Sequence, residues 1–283
     1  EGELAVARAT EKFNTFFGIS SLSTTSIEKI KSINTPKIFQ LYFHKDKGLT
    51  KSMIDKCIEC NIDVLALTVD TITGGNRERD LKTGFTSPPK LTFKSFFSFL
   101  FSPSWTLNYL LREKFDLPFL SDYVKEGTDI KVSISDYFSN MLDQDLSWKD
   151  IENIRKVWPG KFCLKGIMSR EDALKAIDCG VDAVMISNHG GRQLDGSRSP
   201  FDQIKEIKDS VEDKLELICD GGIRRGTHIL KAISEGADSC SGGRLYLYAL
   251  AAGGMIGVTR AIENLKNEII RDMKLMGKKN ISE

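Results

Sequence analysis

Histidine is scarce in this chain, and several familiar sequence signatures are missing from it. Only three of its 283 residues are histidine, so a general base with a pKa near neutrality has few candidates. The 40 basic and 39 acidic residues nearly balance, and no basic stripe is interleaved with aromatics, which argues against nucleic-acid binding. No G-x-G-x-x-G follows a predicted strand, so a nucleotide-binding doubly wound sheet is not indicated either.

The six cysteines are scattered along the chain and predict neither a disulfide framework nor a metal site. Cys57 and Cys60 form a C-x-x-C, but near the end of a predicted helix over residues 49–61, where a thiolate is not stabilised. We interpret them as two thiols on one helix in a reducing, cytosolic setting. The chain begins at Glu1 without the charged and apolar regions of a signal peptide, and we expect a processed chain or a fragment.

Short apolar runs alternate regularly with helical stretches along the chain. The runs predict strands near residues 16–20, 37–42, 64–69, 162–165, 183–186, 215–219 and 237–241. Strands that alternate with helices of about 10 to 15 residues are typical of βα units in a parallel sheet. Seven such units can be counted, and the whole of residues 1–283 fits one α/β domain.

Nearly every predicted strand ends in a side chain able to do chemistry. These residues are Ser20, Gln40 with Tyr42, Thr68 with Asp70, Lys165, Ser187 with His189, Asp220, and Gly243 with Arg244. In a closed (β/α)8 barrel the carboxyl ends of all strands converge on one face. Chance explains one such position, but not seven in succession. The sequence therefore predicts a (β/α)8 TIM barrel with a single site over its strand ends.

A glycine-containing loop after the fifth predicted strand carries His189 and Arg192. His189 is the most plausible general base, and Asp70 could hold it in one tautomer. Arg192 and Arg77 can grip a carboxylate through their planar guanidinium groups. Tyr42 could donate a hydrogen bond to a substrate oxygen. These residue types together indicate a site for a carboxylate substrate.

Two further features indicate an anionic cofactor. Lys165 ends an apolar strand, where a charge is costly unless it faces an anion, and a reduced, negatively charged cofactor ring is one candidate. The loops that follow the last two strands read Asp220-Gly-Gly-Ile-Arg224 and Gly242-Gly-Arg244. Barrels frequently bind phosphate with these two loops, through glycine N–H groups and a helix N-terminus.

Residues 71–146 interrupt the alternation and form a predicted insertion. Its segment 91–111 is too interrupted by a lysine, a proline and serines to span a membrane, yet too apolar for an ordinary surface loop. Together with the flanking Arg112 and Lys114, the segment suggests a helix lying in a membrane interface. A lid on the barrel mouth or a dimer contact is equally compatible with its composition.

These motifs resemble those of the FMN-dependent 2-hydroxy-acid dehydrogenases and oxidases. The resemblance is carried, in the family's order and over essentially the whole chain, by residues 40–42, 67–70, 164–166, 187–196, 220–222 and 243–244. Residues 77–81, 147–150 and 245–250 are most similar to membrane-associated, quinone-linked lactate and mandelate dehydrogenases.

The resemblance implies FMN as cofactor and a small L-2-hydroxy acid, most simply lactate, as substrate. It implies that His189 takes the proton during oxidation of the α-carbon, with Asp70 as its partner. Arg192 and Arg77 would hold the substrate carboxylate, and Tyr42 would contact its oxygens. The residues that would contact FMN are Ser20, Gln40, Thr68, Lys165, Ser187, Asp220, Gly222, Arg224, Gly243 and Arg244.

The same resemblance implies partners and a location. Electrons would pass to a membrane quinone, and the insertion after the family's fourth barrel strand would bind the cytoplasmic side of the inner membrane through residues 91–111. A homo-oligomer is also implied. Two alternatives stay open: a soluble oxidase of the family that makes hydrogen peroxide from oxygen, and a non-catalytic fragment or phosphate-binding barrel.

The sequence departs from the family pattern in two places. It starts after the family's N-terminal helices and first barrel strand, so we expect seven barrel strands and two open sheet edges. Cys240, Ser241 and Gly242 make the last strand weak. By similarity, Leu22 lines the pocket for the substrate side chain.

Overall fold

A computed structural model describes residues 2–78, 82, 92–111, 117–121 and 140–283. Within these residues seven parallel strands form one sheet, in which each strand pairs with the next along the chain. They are β1 (Phe17–Ser20), β2 (Lys37–Tyr42), β3 (Val64–Thr68), β4 (Lys161–Ile167), β5 (Ala183–Ser187), β6 (Glu216–Asp220) and β7 (Ser239–Ser241). The seven predicted strands are confirmed, and their ends differ from the prediction by no more than two residues.

Helices separate the strands along the chain. They are α1 (Gly2–Glu11), α2 (Ile27–Lys31), α3 (Lys47–Glu59), α4 (Phe93–Leu100), α5 (Pro103–Leu111), α6 (Pro118–Ser121), α7 (Trp148–Val157), α8 (Arg170–Asp178), α9 (Pro200–Val211), α10 (Gly226–Ser234) and α11 (Arg244–Leu275). Several begin where a side chain satisfies the first free N–H groups: Asp46 caps α3, Ser169 caps α8 and Ser199 caps α9. The order of elements is that of seven βα units of a (β/α)8 barrel.

The two faces of the sheet differ in the residues they carry. One face packs on the helices through large apolar side chains such as Phe39, Leu65 and Phe162, which are fully buried. The opposite face holds a small cluster that includes Ala66, Cys163, Ala183 and Met185. Because side chains alternate along a strand, the residues two positions further on from this cluster lie on the same face, at the carboxyl ends. Those positions are Thr68, Lys165 and Ser187, with Gln40 and Asp220 on the adjoining strands.

Helix α11 is the one helix in the described part of the chain that is long and apolar enough to span a membrane, judged by length and composition alone. The backbone of α11 leaves helical geometry at Gly253 (φ −154°, ψ 21°) and Gly254 (φ 55°, ψ −143°). Charged residues such as Arg260 and Glu263 follow the break. Since a spanning helix needs about 20 mainly apolar residues in one run, α11 is better explained as an outer helix of the barrel.

Strands β1 and β7 are the edges of the sheet within the described residues. The outer layer nevertheless continues between these edges, because α1 packs against α11, which also packs against α10. Because every pair of neighbouring strands is parallel, the carboxyl ends of all seven strands face the same way and meet over one mouth.

Candidate active site

The structure brings His189 and Asp70 together above the carboxyl ends of β5 and β3. His189 Nδ1 lies 3.3 Å from Asp70 Oδ1 and 3.3 Å from the Thr71 hydroxyl oxygen. That hydroxyl donates to Asp70 Oδ1 over 2.8 Å, so both oxygens present lone pairs to Nδ1. This arrangement favours a hydrogen on Nδ1 and leaves Nε2 as the basic nitrogen of the neutral ring.

A tight turn directs the His189 ring. The backbone is left-handed at His189 (φ 56°), Gly190 (φ 65°) and Gly191 (φ 72°), a conformation that suits glycine and is strained for histidine. The His189 N–H donates to the Ser187 hydroxyl oxygen over 3.1 Å. The Arg244 guanidinium donates to the Gly190 carbonyl over 2.7 Å. The turn is thus held from both the β5 end and the loop after β7.

Tyr42 lies in a field of opposite charges beside this pair. Burial, followed by the negative charge of Asp70, raises its pKa to about 12, while the positive charges of Arg77 and Arg192 act in the opposite direction. Its hydroxyl therefore keeps its hydrogen at neutral pH and can donate it. The same electrostatic coupling means that the carboxylate, the phenol and both arginines share one neighbourhood. Arg77 is half-buried and Arg192 is exposed.

Lys165, Ser187 and Asp220 form a closed polar triangle on the inner face of β4, β5 and β6. The Lys165 ammonium lies 3.0 Å from the Ser187 hydroxyl oxygen and 3.0 Å from Asp220 Oδ2, and that hydroxyl donates to Asp220 Oδ2 over 2.7 Å. Burial raises the pKa of Asp220, but the Lys165 charge and the hydrogen bonds of Ser187 and Lys165 outweigh it and hold the pKa below its ordinary value. The largely buried cation is thus paired, and its position is fixed.

Side chains at the ends of β1, β2 and β3 form a second set of polar contacts. The Gln40 amide donates to the Thr68 hydroxyl oxygen over 3.0 Å and lies 3.4 Å from the Tyr42 hydroxyl. The Ser20 hydroxyl oxygen accepts the N–H of Leu22 over 3.1 Å. These side chains connect the inner face of the barrel with the substrate side of the mouth.

The loops after β6 and β7 provide room and charge for a phosphate group. A Cβ added to Gly222 or to Gly243 would have no heavy atom within 4 Å, and Gly222 is left-handed with φ +73°. Arg224 and Arg244 follow these glycines, and the Arg224 N–H is held by His228 Nδ1 over 3.2 Å. Open glycine backbone with an arginine following it in each loop fits an anionic, phosphate-bearing cofactor.

Several residues that shape the site were missed by the sequence analysis. Thr71 bridges Asp70 and His189, and its place directly after the strand-end Asp70 was an available signal. The side chain of Asn188 accepts the Gly191 N–H over 3.1 Å. Gly75 and Gln193 join the loops that carry the two arginines. No pattern in the sequence indicates that contact, because it depends on the paths of two loops that no periodic pattern specifies.

These features define a class of protein: a parallel βα barrel with a histidine–carboxylate pair over its strand ends, beside a fixed lysine and a site for a phosphate-bearing cofactor. A barrel of this kind brings an acid–base group and a cofactor to one mouth. The comparisons with known proteins then narrow the class.

Residues 1–283 match the family described as FMN-dependent dehydrogenase. The chain is 36% identical to the L-lactate dehydrogenase of Acinetobacter baumannii, over its whole length and 74% of that protein, and 37% identical to that of Vibrio parahaemolyticus. The crystal structure of the monotopic membrane protein (S)-mandelate dehydrogenase is similar with a TM-score of 0.91 and 33% identity, covering 99% of this chain and 74% of that one. A mandelate oxidase structure is similar with a TM-score of 0.80 and 29% identity, covering 100% of this chain and 72% of that one.

The chain belongs to the FMN-dependent dehydrogenase family, the branch of 2-hydroxy-acid dehydrogenases and oxidases. The resemblance inferred from the motifs is confirmed, and so are the barrel fold, FMN as the cofactor and an oxidoreductase activity on 2-hydroxy acids.

Proposed function

We propose that this protein oxidises an L-2-hydroxy acid, most simply L-lactate, to the 2-oxo acid and passes the electrons to a membrane quinone. The observation that carries the substrate class is the His189–Asp70 contact of 3.3 Å beside Tyr42, whose phenol is in the field of two arginines. A base and a hydroxyl donor beside two carboxylate-binding cations at one mouth match the hydroxyl group and the carboxylate of a 2-hydroxy acid.

The proposed roles follow from the chemistry of each side chain. Arg77 and Arg192 bind the substrate carboxylate, which fixes the α-carbon over the strand ends. Tyr42 donates to a substrate oxygen. His189 Nε2 accepts one proton while Asp70 stabilises the resulting imidazolium. Oxidation removes two electrons and two protons from the substrate.

The proposed cofactor residues lie deeper in the mouth and at the ends of the last strands. FMN, when bound, would take up the two electrons together with the second proton, while His189 holds the first. Lys165 supplies a fixed positive charge for a reduced flavin, with Ser20, Gln40, Thr68, Ser187 and Asp220 around it. The residues proposed to hold the phosphate are Gly222, Arg224, Gly243 and Arg244.

Replacing His189 by glutamine tests the base role directly. We expect the variant to retain FMN, because the cofactor residues are unchanged, while anaerobic bleaching of the flavin by L-lactate slows by a factor of roughly 10² to 10⁴. Thr71→Val is the matched variant: it removes only the hydroxyl that orients the pair and should cost less. A panel of lactate, glycolate and mandelate identifies the substrate. Unchanged bleaching in His189→Gln would remove this residue from the mechanism, and a flavin bleached by no 2-hydroxy acid would refute the proposed function.

The proposed membrane contact rests on the apolar hairpin, by which we mean residues 92–111 with helices α4 and α5. Eight of its large apolar side chains are more than half exposed: Phe93, Phe96, Phe97, Leu100, Phe101, Leu107, Leu110 and Leu111. The predicted interface segment 91–111 is described except for residue 91, whereas Arg112 and Lys114 lie outside the described residues. A water-soluble surface rarely exposes so many adjacent apolar groups.

Internal contacts keep the apolar hairpin in this exposed arrangement. The Phe99 and Trp105 rings stack with centroids 5.4 Å apart, and the Trp105 and Tyr109 rings stack at 5.1 Å. The Thr106 hydroxyl donates to the Phe99 carbonyl over 2.7 Å. Its outer side chains suit the headgroup region of a bilayer, and the similarity to a monotopic membrane dehydrogenase supports this proposal.

The acceptor distinguishes this proposal from a soluble oxidase. Protein bound to vesicles that contain a quinone should reduce it under lactate faster than it reduces oxygen. Stoichiometric hydrogen peroxide with no quinone reduction would favour the oxidase and refute the quinone proposal.

A further inference from the structure

The loop after β3 and the loop after β5, already in contact through Asp70, Thr71 and His189, meet again at a point of very close approach. These strands are not neighbours, since β4 lies between them, so the contact crosses above the end of β4. The Gln193 amide donates to the Thr73 carbonyl over 3.0 Å. A Cβ placed on Gly75 would lie 2.1 Å from the Arg192 carbonyl oxygen and 2.7 Å from Gln193 Cα.

Space, and not backbone conformation, is what requires glycine here. Gly75 is absent from the residues with positive φ, so other residues could adopt its backbone angles. An ordinary contact needs about 3.4 Å, and the smallest side chain would therefore push the two loops apart by about 1 Å. We call this contact, made by Thr73, Gly75 and Gln193, the loop clasp.

The loop clasp lies next to both arginines. Gly75 is two residues before Arg77, and Gln193 directly follows Arg192. Both guanidinium groups are on long side chains carried by loops, so their spacing depends on where the two loop backbones lie. Two-point binding of a carboxylate tolerates little error in that spacing, and a misplacement of about 1 Å can cost a factor of about 10² in rate.

We propose that Gly75 and Gln193 are positioning residues that set the distance between Arg77 and Arg192 for binding the substrate carboxylate. The inference rests on the proposed function for the role of the arginines. It adds that the chain fixes the two guanidinium groups through a backbone-to-backbone contact between the loops. None of the three clasp residues is part of the buried core, so we expect the loop clasp to act on ligand geometry and to contribute little to global stability.

Gly75→Ala in the FMN-loaded enzyme is the direct test. We expect KM for L-lactate to rise and kcat/KM to fall by a factor of about 10 to 100. The dissociation constant of propanoate, which has the carboxylate but no hydroxyl group, should rise by a similar factor. The flavin content and the melting temperature should stay close to those of the wild type. Asn76→Ala, an exposed neighbour on the same loop, is the matched control and should change none of these values.

Gln193→Met removes the hydrogen bond but keeps the length of the side chain. We expect a rise of about fivefold in KM and in the propanoate dissociation constant, which supports the loop clasp even if Gly75→Ala does not fold. Propanoate affinities that are unchanged in Gln193→Met and in a folded Gly75→Ala would overturn the inference. So would a loss of affinity that follows only from a large fall in melting temperature. A wild type that binds propanoate but oxidises no 2-hydroxy acid would refute the proposed function while leaving the loop clasp to be judged by the propanoate measurements.

Discussion

Replacing Phe93 and Phe101 together by serine should detach the protein from membranes without damaging its fold. These side chains lie at the start and at the turn of the apolar hairpin, and they are 88% and 81% exposed. Because they contact little of the protein, their loss leaves the packing of the core unchanged. Whatever free energy they contribute to membrane binding disappears with them.

The expected loss of membrane-binding free energy can be worked out from the exposed fractions of the two side chains. Complete removal of a phenylalanine side chain from water contributes about 2.5 kcal/mol. The exposed fractions then give about 2 kcal/mol for each residue, or about 4 kcal/mol for the pair if both enter the apolar boundary of the bilayer. Since each 1.4 kcal/mol is tenfold in affinity, the membrane partition coefficient should fall by at most about a thousandfold.

Co-sedimentation with phospholipid vesicles measures this partition coefficient. Leu275→Ser is the matched control, because Leu275 is 79% exposed but lies at the end of α11, outside the hairpin. We expect the control to sediment like the wild type, and the double variant to remain in the supernatant while still reducing a water-soluble dye with lactate. If the double variant sediments like the wild type, the hairpin is not the membrane contact. An equal loss of vesicle binding in Leu275→Ser would show that any exposed apolar side chain contributes to membrane binding, whether or not it lies in the hairpin.

Three further perturbations test the site and the core. Lys165→Met removes the cation that lowers the pKa of Asp220. The Asp220 carboxylate stabilises the fold above its unfolded pKa and loses this effect as the pH falls, so the variant should have a lower melting temperature at pH 7 and should bind FMN weakly. An unchanged melting temperature would contradict the pairing. Burial lowers the pKa of His44 from an ordinary 6.5 to about 4. Between pH 6.5 and pH 4 only the unfolded chain protonates this ring. The free energy of unfolding should therefore fall by about 3 kcal/mol as the pH drops through this range. Urea titrations should show a flatter pH dependence for His44→Gln, and an identical slope would argue against the buried neutral ring. Tyr42→Phe should lower kcat/KM by about 10- to 100-fold in stopped-flow flavin reduction with no loss of FMN, and a smaller effect than twofold would exclude a hydrogen bond to substrate.

The strand-end positions were predictable because two simple regularities coincide. Parallel βα units place all carboxyl ends on one face, and the two-residue period of a strand places Thr68, Lys165 and Ser187 on the inner side of it. The proximity of His189 to Asp70 fits that placement, whereas the Lys165–Asp220 ion pair was not predicted, because the Lys165 charge had been assigned to an anionic cofactor. These residues could be grouped correctly without any knowledge of their contacts.

The contacts between loops could not be predicted in this way. The Gln193 bond to Thr73 joins residues 120 positions apart, and their spacing depends on loop paths that no periodic pattern specifies. The break in α11 at Gly253 and Gly254 cannot be predicted for a related reason. Glycine pairs occur within helices as well as at their ends, and the sequence does not reveal the sign of φ. The role of Thr71 was only partly predictable. Its neighbour Asp70 was recognised, but the contact of Thr71 with His189 depends on the direction of its side chain, which the sequence does not specify.

The left-handed backbone of His189, with φ 56°, places this enzyme's reactivity and its durability in competition. An L-residue with a side chain held in this region costs about 1 to 2 kcal/mol relative to an ordinary conformation. Random substitution followed by selection for heat resistance alone should therefore favour glycine or asparagine at position 189, which relax the turn and, in the proposed mechanism, remove the base.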